Sequence, residues 1–118
     1  MKIRRAPIEN PLVLSMTREN FRVVISRRND LPQRLLLLIQ AAIEYYLNGI
    51  ARHLLATTKE VEELSEKFPH FFLDEKVYIF KLEVIKGAPG TEDKTFLSFE
   101  EIYIPQVSNM ETTYQLSA

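Results

Sequence analysis

Apolar residues change their spacing several times along the chain, and each change marks a predicted element. Phe21, Val23 and Ile25 alternate with Arg22, Val24, Ser26 and Arg28. A period of two predicts a half-buried strand over 21–28. The short apolar run from Leu12 to Met16 precedes it, with Thr17-Arg18-Glu19-Asn20 as a turn, so the two predict an N-terminal hairpin. From Leu31 to about Thr57 the spacing becomes helical, through Leu36, Ile39, Ile43, Leu47, Ile50 and Leu54. Asp30 is placed to cap this helix, with Leu31 and Pro32 in its first turn.

A second stripe, Leu35, Leu38, Ala42 and Tyr45, widens the apolar arc of the long helix beyond one face. Such a helix needs cover on more than one side. At 1.5 Å per residue it would be about 40 Å long. A compact domain of this size is about 35 Å across. Either Gly49 bends the helix or a second chain covers the excess; the wide arc favours a second chain, with Leu35, Leu38, Ala42 and Tyr45 as the oligomer interface. Cover by a second helix and the sheet of the same chain is the competing explanation.

Thr57 with Glu60 forms a capping-box pattern that starts a short helix, which ends at Lys67 before Phe68-Pro69. Tyr78, Phe80, Leu82 and Val84 share one face of a strand over 77–86, with Lys81 and Glu83 opposite. Gly87-Ala88-Pro89-Gly90 opens a loop, and residues 95–104 return as a second strand. A short helix capped from Ser98 is the rival reading of that last segment. The predicted fold class is therefore α+β, in two layers. A small antiparallel sheet of about four strands is covered by one long helix plus a short one, in the order ββααββ. Residues 1–10, with Pro7 and no periodicity, read as an extended arm, 11–105 as a single domain, and 106–118 as a polar tail.

Composition supports one ordinary core: 118 residues, 46% hydrophobic and 26% charged. The chain has no cysteine, which removes disulfides, thiolate nucleophiles and cysteine metal sites. The greasiest stretch, Leu35 to Leu47, is interrupted by Gln40 and Glu44 and falls short of the roughly 20 apolar residues of a membrane span. Lys2, Arg4 and Arg5 mimic the start of a signal peptide, but no adequate apolar run follows them. The expectation is a soluble cytoplasmic protein that does not engage a membrane.

The net charge of −1 conceals a split. Residues 1–34 hold eight basic residues against three acidic ones, and seven of the eight arginines. The rest holds thirteen acidic residues against seven basic ones. Arginine presents a planar fork suited to phosphates and carboxylates. Arg4, Arg5, Arg18, Arg22, Arg27 and Arg28 are thus the candidate binding residues, for nucleic-acid phosphates or for an acidic protein surface. The bland alternative is that they pair with the acidic second half of their own fold. Strand alternation would also separate Arg27 from Arg22 and Arg28. A sequence pI near 6.1 weighs against a dedicated nucleic-acid binder.

Catalytic chemistry finds little support. His53 and His70 are the only imidazoles, and Arg52 beside His53 disfavours a cation. No serine sits in a nucleophile elbow, and no phosphate-loop or dinucleotide pattern is present. Glu92-Asp93-Lys94 with Asp74 upstream imitates the metal site of small nucleases, but Glu92 falls in a predicted loop. The adjacent acidic pairs point different ways on a helix or strand and do not form a dyad. The reading is a non-catalytic protein-interaction module, an adaptor, inhibitor or assembly factor, homodimeric through the long helix and free of metal, cofactor and small-molecule substrate. A nucleic-acid-binding regulator using the N-terminal arginines is the alternative.

Overall fold

The computed structural model describes residues 13–103. The predicted arm and tail, Arg4 and Arg5 among them, lie outside the described residues. The element order is β1 (Ser15–Met16), α1 (Phe21–Ser26), α2 (Gln33–Asn48), α3 (Thr58–Lys67), β2 (Phe71–Leu73), β3 (Lys76–Ile85) and β4 (Lys94–Glu101). The class is α+β, with a mixed sheet of four strands in spatial order β1-β2-β3-β4. β1 runs parallel to β2, and the remaining pairs are antiparallel.

Three expectations are corrected. Residues 21–26 form a helix, so no N-terminal hairpin exists, and β1 pairs instead with β2. Phe21 and Ile25 are each 1% exposed while Val23 is 48% exposed. The buried pair is therefore four residues apart, as on a helix, and a six-residue stretch is short enough to fit either period. The long helix is also cut short. α2 has 16 residues, about 24 Å, and ends at Gly49 with φ 67°, a left-handed cap that glycine adopts without strain. The length argument for a second chain disappears with it. The ββααββ order gives way because β2, only three residues long, lies hidden between Pro69 and the Asp74-Glu75 turn.

The second half follows the sequence closely. Thr57 Oγ1 accepts from the Glu60 N–H at 3.1 Å, and the Glu60 carboxylate accepts from the Thr57 N–H at 2.9 Å, a complete capping box on α3. β4 pairs along its full length with Tyr78 to Ile85 of β3. Asp30 does not cap α2; Pro32 stands at that position, and Asp30 bonds Arg28 instead.

One face of the sheet carries the core. Phe71 and Leu73, Tyr78 and Phe80, and Leu97 and Phe99 lie beneath α1, α2 and α3, against Leu38, Ile39, Ile43 and Leu64. Phe71 is the hub, with ring centroids 4.5 Å from Phe80, 5.4 Å from Tyr78 and 5.1 Å from Phe99. The opposite face is mixed, with Lys81 bonded to Glu100 at 3.1 Å.

The β2–β3 turn stores backbone strain. Asp74 and Glu75 both have positive φ, 53° and 68°, and together they make the two-residue loop between Leu73 and Lys76. That turn type demands left-handed residues, and aspartate followed by glycine suits it. Glutamate in this conformation costs about 1 kcal/mol. Glu75→Gly is expected to raise the melting temperature by about 5 °C. An unchanged or lowered melting temperature would show that Glu75 carries no strain.

Candidate interaction surface

Three of the four described arginines expected to meet a ligand are engaged by the chain itself. Arg18 Nε donates to Asp74 at 2.8 Å, and its backbone N–H donates to the same carboxylate at 3.0 Å, tying α1's approach to the strained turn. Arg22 forks onto Glu44 of α2 at 2.5 and 2.8 Å. Arg28 forks onto Asp30 at 2.9 and 2.6 Å and donates to the Val13 carbonyl at 2.7 Å. Arg34, beyond the candidate set, holds Glu60 at 3.0 Å and the Leu55 carbonyl. Arg27 is exposed and has no ion-pair partner among the described residues.

The guanidinium bonds hold the Asp74, Glu44, Asp30 and Glu60 carboxyls below the usual carboxylate range; in each the arginine's hydrogen bond is the largest cause. Depressed folded-state values mean that protonation favours the unfolded chain. This stability is present above about pH 4 and is lost as pH falls below it. At the other end, burial and then the Tyr46 hydroxyl push the Tyr78 phenol up. A raised phenol contributes stability below about pH 10 that is lost as pH rises further. The urea midpoint is thus expected to be flat from pH 6 to 9 and to fall on both sides. A midpoint unchanged down to pH 2 would contradict the arginine pairings. Exposed pairs of this kind add little to stability, so their main consequence is that these arginines are engaged by acids of the same chain.

Arg52, the single arginine outside the N-terminal third, is well enclosed. Its side chain is 5% exposed. The guanidinium lies 3.9 Å from the Tyr45 ring centroid and 4.6 Å from that of Phe96. It donates to the Leu97 carbonyl at 3.1 Å and to Glu83 at 2.8 Å. Leu97 faces the helices and Phe96 the opposite side, so Arg52 wraps around the outer edge of β4. Phe96 is 8% exposed, although it lies outside the main core. Ala56 covers the next stretch of that edge, its N–H donating to the Thr95 carbonyl at 2.9 Å.

Of the four apolar positions expected at an oligomer interface, Leu35, Leu38 and Ala42 are 3%, 1% and 3% exposed. The chain's own core covers them. Tyr45 is 45% exposed, its neighbour Tyr46 51% and Leu37 42%. Leu37, Ala41 and Tyr45 are four apart and share one face of α2. The exposed apolar side of this helix is therefore rotated from the stripe that the sequence singled out.

Asp74 and Glu92 flank opposite ends of β3, a ten-residue strand, about 30 Å long. The nuclease-like grouping is thus not brought together. No cluster of three metal-ligating side chains occurs among the described residues, and both histidines are exposed. A shallow hollow of about 360 Å³ lies at the β3–β4 loop, where Lys86 bonds Asp93. Within the described residues no helix is long and apolar enough to cross a membrane. In class, the chain is a two-layer α+β domain in which five of the six described arginines pair with acids of the same chain. No family model, curated protein or solved structure matches it.

Proposed function

We propose that the chain is a non-catalytic protein-interaction module, an adaptor, inhibitor or assembly factor, that associates with a second copy of itself. The observation that carries this reading is the contrast between its charges and its apolar surface. Arg18, Arg22 and Arg28 are bonded to carboxylates of the same chain. Leu37, Tyr45 and Tyr46 stand half-exposed on α2. Exposed aromatic side chains are typical anchors of protein interfaces. The cysteine-free sequence suits a cytoplasmic setting. Light scattering on the full chain at 10 to 100 µM tests the reading. The expected mass is twice the 13.8 kDa of one chain. A constant monomer mass over that range would overturn it.

A nucleic-acid regulator is less well supported, because three of its four described arginines are bonded to acids of the same chain and Arg27 remains as the one without an acid. An acidic protein partner meets the same difficulty.

A further inference from the structure

We propose that Asn48 is a self-modification site: its side-chain amide is lost to the Gly49 backbone nitrogen, and the carboxylate that replaces it loosens the tie between α1 and α2. This goes beyond the self-association proposed above and does not rest on it. Asparagine is among the thermally labile residues. Its amide is lost fastest when the next residue has no Cβ to crowd the approach of the backbone nitrogen. The chain has five asparagines, Asn10, Asn20, Asn29, Asn48 and Asn109, and glycine follows only Asn48. Pro11 follows Asn10 and offers no N–H. Phe21 follows Asn20 and is packed into the core. The fold leaves the Asn48-Gly49 pair open. Both residues are exposed, and no atom lies within 4 Å of where a Gly49 Cβ would stand. Asn48 is the last residue of α2 and Gly49 its left-handed cap, and the ends of helices fray. Two hydrogen bonds oppose the step. The Gly49 N–H donates to the Tyr45 carbonyl at 3.0 Å, and Asn48 Nδ2 donates to Glu44 at 3.0 Å. Both belong to the last turn of α2 and open when it frays.

In the step itself, the Gly49 nitrogen gives its proton to solvent base and attacks Cγ of Asn48. The new C–N bond closes a succinimide ring, and the side-chain nitrogen leaves as ammonia. Water then opens the ring at either carbonyl, to aspartate or to isoaspartate. Water is consumed and ammonia released, with no oxidant or cofactor. The product changes the charge at the end of α2. Glu44 stands four residues before position 48 and is forked by Arg22 of α1 at 2.5 and 2.8 Å. The Asn48 amide donates to that carboxylate. A carboxylate in its place repels Glu44, competes with it for Arg22, and meets the negative end of the helix dipole. Isoaspartate also lengthens the backbone by a methylene, which displaces the Gly49 N–H from the Tyr45 carbonyl.

Incubation of the folded full chain at pH 8.5 and 37 °C tests the site, read by peptide mapping in a mass spectrometer and by labelling with an isoaspartate methyltransferase. Asn48 is expected to lose ammonia before Asn20 and Asn29, at a rate comparable to that of the chain unfolded in urea. Asn48→Gln is expected to abolish the methyl label. An amide that persists at position 48 of the folded chain, over the time in which the chain in urea loses it, would overturn the site. Asn48→Asp supplies the aspartate product directly. It is expected to lower the melting temperature by about 5 °C, and by much less when Glu44→Gln is already present. A melting temperature that falls equally in both backgrounds, or in neither, would overturn the coupling to Glu44.

Discussion

Ile43→Asp is expected to abolish the cooperative thermal transition of the chain. Ile43 is 0% exposed and lies in the core among Leu38, Ile39 and Leu64. No cation is buried in that core to pair with the new carboxylate. An unpaired buried charge and the lost packing together cost more than about 4 kcal/mol, comparable to the whole stability of a small domain. The carboxylate escapes part of this by holding its proton, so its own pKa rises. A raised value means that the variant suffers least below about pH 4 and most at neutral pH. Ile43→Val, which removes one methylene, is expected to cost about 1 kcal/mol. A variant with aspartate at 43 that melts like the wild type would show that α2 faces the sheet by another side.

Arg52→Ala is expected to lower stability by about 2–3 kcal/mol, or the melting temperature by about 10 °C. The substitution removes the bonds to Leu97 and Glu83 and the contacts with Tyr45 and Phe96. It also uncovers Phe96 and the Leu97 carbonyl on the outer edge of β4. Rising light scattering with concentration, beyond that of a dimer, should accompany the loss. Arg52→Lys is expected to recover less than half of the stability. An ammonium cannot stack between two rings while reaching a carbonyl and a carboxylate. Full rescue by lysine would reduce Arg52 to a simple counter-charge for Glu83.

The legible part of the fold was its second half. The capping box at Thr57 and the alternation from Tyr78 to Val84 are local signals, read over a few residues. What stayed illegible depends on partners distant in sequence. Phe21, Val23 and Ile25 have the spacing of a strand, and only burial of Phe21 and Ile25 under α2 selects the helix. β2 is too short to show a period. The apolar residues after Gly49 continue a helical spacing by coincidence. Leu54 packs against the core from a segment without helix, and Ile50 is 52% exposed.

The same reasoning explains the surface. Arg18 and Asp74 are 56 positions apart, and Arg34 and Glu60 are 26 apart. Sequence alone gives the imbalance of charge but not which fork closes on which acid. Arg28 with Asp30 is the one pair close enough to be read directly. Arg52 was overlooked, yet it carries a signal. It is a lone arginine within the apolar run Ile50 to Leu55, where a charge must find a buried partner or leave the core.

The central claim is that Arg18, Arg22 and Arg28 are held by acids of their own fold, and we propose on that ground that they do not bind phosphates. Fluorescence anisotropy with labelled single- and double-stranded oligonucleotides, across a salt series from 20 mM upwards, tests it most directly. The account predicts no binding at micromolar protein even at the lowest salt. Affinity that is measurable there and falls steeply with salt would contradict it, and the slope would count the phosphates engaged.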